Sequence, residues 1–174
     1  MKKLWWQRTV NNECYTPEYA VRPLLKYLEK FKGKTIWCPF DTDESEYVKV
    51  FKKEGFNVIY GHIDTGQNFY DFGEGLFEQK VPEFDLIVSN PPFQNKAKLV
   101  EKIIGFNKPF ALLLPLTWLN DSAPYRLFAR GGVDLLMFDK RIKFKNCGNQ
   151  PNFACGYFTR GILPQQIIFE PLGV

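Results

Sequence analysis

The sequence predicts a three-layer α/β domain built around a mainly parallel sheet. Apolar runs of strand length alternate with amphipathic helical segments along most of the chain, which favours doubly wound topology. Residues 109–115 are almost continuously apolar, a pattern typical of a central parallel strand covered on both faces. A length of 174 residues, with 45% hydrophobic and 24% charged, suits one folded unit with its own core. We therefore expect a single domain spanning residues 1–174.

In the first half of the chain, helix and strand signals alternate in order. Residues 1–12 are polar and basic and are expected to form an arm that packs on the core, with an arm for nucleic acid as the alternative. Thr16 then caps a predicted helix that begins at Pro17 and is bent by Pro23. A strand, a helix closed by a glycine and a second strand follow, at 34–38, 45–53 and 56–63. Residues 73–77 predict a surface turn.

The second half continues the same alternation. Strands are predicted at 84–88, 109–115 and 133–138, with one helix ending near Gly105 and a short one before Gly131. The segment 117–124 and the short helix after it have a composition that suits a mobile lid, although a surface helix explains it equally well. The last element predicted is a hairpin that pairs 155–159 with 167–169 across Gly161 and Pro164.

The chain is organised around the segment 89–93, with the sequence Ser-Asn-Pro-Pro-Phe, directly after the apolar run 84–88. Proline lacks a backbone donor and restricts the residue before it, so the strand stops abruptly and presents Asn90 at its end. An amide oxygen and an adjacent carbonyl, held by the prolines, can accept both hydrogens of an exocyclic base amine and localise its lone pair. An ordinary strand followed by a proline turn is the competing interpretation.

Asn90, Pro91, Pro92 and Phe93 resemble the motif of S-adenosylmethionine-dependent amino-methyltransferases, in the form typical of N6-adenine enzymes. Residues 12–172 are similar to small phage and bacterial adenine methyltransferases related to the EcoRI methylase family. The resemblance implies a Rossmann-like class I methyltransferase fold with an antiparallel last strand. It also implies methyl transfer from S-adenosyl-L-methionine to adenine N6, in DNA more than in RNA, with Phe93 stacked on a flipped base.

Residues that would bind the cofactor are implied by the same resemblance, and lie before or just after the first three predicted strands. The Tyr-Thr-Pro segment would follow the methionine moiety, where Tyr15 can contact a sulfonium cation. The loop after the first strand has no Gly-x-Gly sequence, and Asp41 is its expected ligand for the cofactor's amino group. Local capping by Thr16, a structural His62 and a solvated acidic loop are the alternatives. The expected set is Tyr15, Thr16, Pro17, Cys38, Pro39, Phe40, Asp41, His62, Asn68, Phe69 and Asn90.

A nucleic-acid partner is predicted from basic residues around the motif and near the C-terminus. The net charge of +4 is compatible with a polyanion. Cations alternate with apolar residues over 140–145, which predicts an extended segment with one basic face. The resemblance adds Phe153 as an aromatic residue on the far side of the base, with core packing as the alternative. The predicted contacts are Lys96, Lys140, Arg141, Lys143, Lys145 and Phe153.

Cysteine usage, hydropathy and size bear on location and assembly. The four cysteines form no Cys-x-x-Cys pair and the only histidine is His62, so we expect free thiols in a reducing compartment and no metal site. No long apolar segment or signal region is present, so we expect a cytoplasmic protein of a bacterium or phage-infected cell that does not enter a membrane. The chain has no room for a separate target-recognition domain, so promiscuous action, action on single strands and dimerisation are the alternatives. A monomer or a homodimer is therefore expected.

Three other functions remain open at this point. The same chemistry on RNA adenine is compatible with the motif. The altered loop after the first strand also fits a catalytically inactive descendant that binds nucleic acid or a protein partner. A Rossmann-like enzyme that uses another nucleotide is disfavoured, since no Gly-rich phosphate loop is found.

Overall fold

The computed structural model describes residues 14–73, 79–147 and 149–174, and these form one α/β fold with a seven-stranded sheet. The arm predicted at residues 1–12 and most of the turn predicted at 73–77 lie outside the described residues. The other predicted strands and helices are found within a few residues of their expected bounds.

Six of the seven strands run in one direction, and β6 opposes them. Their order across the sheet is β2-β1-β3-β4-β6-β5-β7. The bounds are Thr35–Cys38 for β1, Asn57–Tyr60 for β2, Leu86–Ser89 for β3, Phe110–Pro115 for β4, Asp134–Phe138 for β5, Cys155–Arg160 for β6 and Ile167–Glu170 for β7. The mainly parallel sheet predicted from the sequence is therefore confirmed.

Five α-helices connect the strands, together with short 3₁₀ turns. The helices are α1 at Glu18–Val21, α2 at Leu25–Leu28, α3 at Glu46–Lys53, α4 at Lys96–Gly105 and α5 at Ser122–Phe128. Pro23 lies in a 3₁₀ turn between α1 and α2, so the helix predicted as bent is divided there. After α3 the chain reverses at Gly55, whose φ of 82° is readily adopted only by glycine.

Helices cover both faces of the sheet because side chains alternate along each strand. On one face, Ile36 and Val88 join the apolar sides of α1, α2 and α3 in one buried cluster. On the other face, Trp37 and Ile87 join α4 and α5 in a second cluster. The arrangement agrees with the predicted three layers and is compatible with a Rossmann-like fold.

The hairpin predicted at the C-terminal end is wrong. Strand β6 pairs with β4 and β5, both antiparallel, while β7 joins the outer edge of β5 in parallel. The antiparallel strand is thus the second to last, and not the last as the resemblance implied. Burial explains why β6 pairs with β4 and β5 and not with β7. Residues 155–159 are all buried, which requires a neighbouring strand on each side. Strand β7 alternates between exposed and half-buried positions, as is typical of an edge strand.

The sheet has a topological switch point between β1 and β3. The chain places β2 on one side of β1 and then crosses to place β3 on the other side. In open α/β sheets this reversal leaves a crevice at the carboxyl ends of the two strands, where ligands commonly bind. The loop that follows β1 and the Asn-Pro-Pro-Phe segment that follows β3 meet at this crevice.

Candidate functional site

Asn90 lies directly after β3, at the carboxyl edge of the sheet. Its Nδ2 donates a hydrogen bond to the carbonyl of Cys14 at 3.4 Å. Its Oδ1 is buried and has no hydrogen-bond partner among the described residues. Unpaired buried acceptors cost free energy and are uncommon in folded proteins, so this oxygen is a candidate acceptor for a donor that the described residues do not supply.

Phe93 and Phe153 form the aromatic wall of a cavity beside this asparagine segment. Their ring centroids are 5.7 Å apart, with the planes inclined at 62°. The cavity has a volume of about 280 Å³ and is open on one side. Its lining residues are Phe93, Lys96, Pro115, Thr117, Trp118, Asp121 and Phe153. Phe153, which the sequence assigned either to the core or to the base, therefore lies against Phe93 at the cavity.

Three polar side chains border the aromatic wall. Lys96 is the first residue of α4, and its Nζ donates to the carbonyl of Phe93 at 3.1 Å. Thr117 and Asp121 come from the turn after β4 and are exposed, while Trp118 between them is buried. Sequence reasoning assigned neither Thr117 nor Asp121 to the site. Their position follows from the pairing of β4 with β3, which brings the carboxyl ends of both strands to one edge.

The Tyr-Thr-Pro segment directly follows Cys14, whose carbonyl accepts the hydrogen bond from Asn90. The backbone of Tyr15 makes an antiparallel bridge with Lys145, with N to O distances of 2.9 and 2.8 Å. Thr16 and Pro17 are buried, whereas Tyr15 is 37% exposed. The resemblance placed Tyr15 near a bound sulfonium, and that placement stays a prediction.

Two of the four cysteines are joined, so the prediction of four free thiols is wrong. Cys14 and Cys147 form a disulfide whose Cα atoms are 4.5 Å apart, while Cys38 and Cys155 are free and buried. The cause is the bridge between residues 15 and 145, which brings segments 133 residues apart into register. No local spacing pattern carries that information. The disulfide fixes the segment whose carbonyl contacts Asn90 to the loop that leads to Phe153.

The loop after β1 is fixed by hydrogen bonds that its buried residue Asp41 makes with neighbouring strands. Asp41 is 5% exposed, and its Oδ2 accepts a hydrogen bond from Ser89 Oγ. The backbone N–H of Asp41 donates to the carbonyl of Gly61 at 2.9 Å. Burial raises the pKa of the Asp41 carboxyl to about 7, while the hydroxyls of Ser89 and Ser45 act in the opposite direction. Cys38, the last residue of β1, and Pro39 of the loop are also buried, and Phe40 is partly so.

The remaining predicted cofactor residues follow β2, and each has a local structural role. The His62 side chain accepts a hydrogen bond from the N–H of Asp64 at 3.2 Å and thereby caps a 3₁₀ turn. Asn68 caps the next turn by accepting from Tyr70 N–H at 3.2 Å. Phe69 is buried and packs on Phe40, with ring centroids 4.9 Å apart. The structural role that the sequence left open for His62 is therefore present.

The alternation predicted over 140–145 is found in the structure. Ile142 and Phe144 point inward and are 6% and 5% exposed, while Arg141, Lys143 and Lys145 are exposed. Lys145 pairs with Glu46 at 2.7 Å, and Lys140 lies 4.0 Å from an oxygen of Asp139 and donates to the Val174 carbonyl. Arg141 and Lys143 are thus the two cations of this segment that carry no ion pair with a described residue.

A side-chain clamp connects this basic segment to the cavity. Gln150 accepts a hydrogen bond from the N–H of Phe144 at 2.9 Å and donates to its carbonyl at 2.8 Å. The clamp lies in the chain between the basic segment and the aromatic wall. The structure brings Phe93, Lys96 and Phe153 together at the cavity, and it links Asn90 to Cys14, the residue before Tyr15.

Within the described ranges, no helix has the length and apolar character needed to cross a bilayer. No three His, Cys, Asp or Glu side chains of those ranges are grouped as ligands for a metal ion. No model of a known protein family matches the chain, and no curated protein matches it significantly. Function is therefore inferred from the residues of the site.

Proposed function

We propose that this protein is an S-adenosylmethionine-dependent methyltransferase that acts on N6 of adenine, in DNA in preference to RNA. The observation that carries the proposal is the buried Oδ1 of Asn90, unpartnered among the described residues and three residues before the Phe93 that lines a cavity walled by two aromatic rings. A hydrogen-bond acceptor next to an aromatic cavity is what recognition of a planar ring with an exocyclic amine requires.

Asn90 and Pro91 orient the amine. The Asn90 Oδ1 and the Pro91 carbonyl accept one amine hydrogen each, which turns the nitrogen lone pair out of conjugation with the ring. Pro91 is buried and Pro92 exposed, and together they fix the backbone that presents both acceptors. The proton displaced from the amine leaves to water, because the cavity is open on one side.

Phe93 and Phe153 hold the ring of the base. The two ring planes are inclined to each other, so the edge of one ring points at the face of the other. A small rotation that separates the two rings would let a base stack on the face of either one. Lys96 and Thr117 supply donors and Asp121 an acceptor around the rim, which can meet the polar atoms of the same ring.

S-adenosyl-L-methionine supplies a sulfonium-bound, electrophilic methyl group when it is bound. The residues present fit this cofactor in one respect: Asn90, whose buried oxygen has no partner among the described residues, follows β3 at the switch point where such ligands bind. The side chains that would hold it are those of Tyr15, His62 and Asn68. Cys38, Asp41 and Phe69 are buried and would shape the crevice from behind.

The nucleic-acid strand would follow the basic segment into the cavity. Arg141 and Lys143 lie on one exposed face, two residues apart, and two extended residues span roughly 6.6 Å. Their charges would neutralise phosphates, and the Gln150 clamp would keep them at a fixed distance from Phe153. The proposed activity belongs in the cytoplasm of a bacterial or phage-infected cell, where the disulfide is open to reduction, with the protein a monomer or a homodimer.

A nucleic-acid-binding protein without catalysis is the second candidate. It is favoured by the internal hydrogen bonds of His62 and Asn68, which leave fewer groups for a cofactor than the resemblance implies. This candidate retains the basic segment and the aromatic wall but predicts no affinity for S-adenosylmethionine.

The test is transfer of a labelled methyl group to unmethylated DNA and to RNA by wild type, Asn90→Ala and a matched variant. Asn57→Ala is the control, because Asn57 lies at the opposite edge of the sheet, at the start of β2. We expect Asn90→Ala to lower transfer by about 10²- to 10³-fold and Asn57→Ala to leave it unchanged. Nucleic-acid binding without cofactor binding in the wild type would favour the second candidate instead.

A further inference from the structure

Ser89 and Asp41 form a buried polar pair behind the asparagine. Ser89 is the last residue of β3 and is fully buried, and its hydroxyl donates to Asp41 Oδ2. Ser89 is also bonded covalently to Asn90. Any displacement of this hydroxyl therefore moves the residue that presents the unpartnered amide oxygen.

Asp41 connects three strand ends at the switch point. It lies three residues beyond β1, its N–H donates to the carbonyl of Gly61 just after β2, and its carboxylate holds the end of β3. The N–H of Gly61 returns a hydrogen bond to the carbonyl of Cys38 at 3.2 Å. The crevice edge is thus closed by a ring of hydrogen bonds that passes through Asp41.

The burial of Asp41 argues against direct contact with a ligand. A carboxylate that binds a charged amino group needs an oxygen facing the crevice, but Asp41 is 5% exposed and its oxygens interact with the hydroxyls of Ser89 and Ser45. The titratable groups that face it are Cys38 from β1, Tyr47 from α3 and Tyr157 from β6. None of these three groups is a cation that would stabilise the ionised carboxylate in a position facing the crevice.

We propose that Asp41 is a positioning residue which, through the Ser89 hydroxyl, fixes the end of β3 and so orients Asn90, and that it does not bind the cofactor itself. The catalytic consequence rests on the proposed function. The positional consequence, an ordered Asn90 side chain, is independent of it.

Three variants separate the two roles. Ser89→Ala removes only the hydroxyl, and Asp41→Asn keeps the shape of the side chain but weakens the acceptor. Thr159→Val is the control, because Thr159 carries a fully buried hydroxyl without a hydrogen-bond partner among the described residues, on β6. We expect Ser89→Ala and Asp41→Asn to lower kcat by about 10- to 100-fold, with the calorimetric Kd for S-adenosylmethionine within twofold of wild type. Thr159→Val should change neither quantity.

The pH profile provides a readout that a merely structural role would not move. Burial raises the pKa of Asp41 to about 7, and the ionised form accepts from Ser89 more strongly. Wild-type kcat should therefore rise through an inflection near that pH, and Asp41→Asn should lose the inflection. A tenfold loss of cofactor affinity in Asp41→Asn, with Ser89→Ala unaffected, would overturn the proposal and assign Asp41 to the cofactor.

The proposal stays testable if the wild type transfers no methyl group to any nucleic acid. The NMR signal of the Asn90 side-chain amide is identified by its loss in Asn90→Ala. We expect Ser89→Ala and Asp41→Asn to shift or broaden that signal, and Thr159→Val to leave it in place. An unchanged Asn90 signal in both Ser89→Ala and Asp41→Asn would refute the positioning role, whereas failure of transfer alone would refute only the proposed function.

Discussion

The stability of the protein should depend on pH through Asp41. Its carboxyl has a pKa of about 7 in the folded chain against 3.8 as the ordinary value, because burial disfavours the charged form. The folded state therefore binds this proton more tightly than the unfolded state does. Stability from Asp41 is fully present below pH 3.8 and is lost progressively as pH rises through about 7.

The size of the effect follows from the difference in pKa. A difference of about 3 units at 1.36 kcal/mol per unit corresponds to about 4 kcal/mol in the free energy of unfolding. Asp41→Asn removes the titration and keeps most of the volume, so it should gain about this much relative to wild type between pH 4 and pH 8. Urea unfolding of the oxidised protein at several pH values measures the difference.

The contributions of other ionisable groups to the free energy of unfolding cancel when a variant and the wild type are compared at the same pH. Asp43→Asn changes an exposed carboxylate of the same loop and is measured as the matched control. If the difference between wild type and Asp41→Asn were constant from pH 4 to pH 8, the carboxyl would have an ordinary pKa, and the claim that burial disfavours its charged form would be refuted.

Three further predictions concern the disulfide, the aromatic wall and the basic segment. Reduction of the Cys14–Cys147 bond, which closes a loop of 133 residues, should lower the free energy of unfolding by about 5 kcal/mol in the chain-entropy account, as measured by urea unfolding. Cys14→Ser should show the lower value with and without reductant, and equal stability of oxidised and reduced wild type would contradict this. Phe153→Ala should weaken binding of an adenine-containing oligonucleotide by roughly 1–3 kcal/mol in a titration, whereas Phe169→Ala, at a ring 70% exposed on β7, should not. Arg141→Ala with Lys143→Ala should reduce the salt dependence of binding by about two charges, and the control pair Lys53→Ala with Lys108→Ala, equally exposed, should leave the slope intact if position and not total charge matters.

Local patterns in the sequence predicted most of the elements. The apolar run at 84–88 and the prolines after it locate β3 and its end, because both effects act within a few residues. Gly55 marks the end of α3, and the alternation over 140–145 places Ile142 and Phe144 inward. Both were predictable because each depends on residues that are close together in the sequence. The strand predicted at 56–63 is shorter, because His62 caps a turn in place of extending β2.

Pairings between distant segments were not predictable from these patterns. Gly161 and Pro164 favour a hairpin locally, but β6 is buried between β4 and β5, and only the assembled sheet determines that choice. The disulfide depends on the bridge between Tyr15 and Lys145, which has no local signal. Thr117 and Asp121 reach the cavity because β4 lies beside β3. The sequence thus predicts the residues of the motif, and the tertiary structure supplies their surroundings.

The most direct test of the central claim is to identify the product. Wild type and Asn90→Ala are incubated with labelled S-adenosylmethionine and an adenine-containing DNA oligonucleotide, which is then digested to nucleosides, while calorimetry follows cofactor binding. We expect the label on N6 of deoxyadenosine with wild type, and no label but retained cofactor binding with Asn90→Ala. Absence of cofactor binding in the wild type, or label on any other atom, would contradict the assignment.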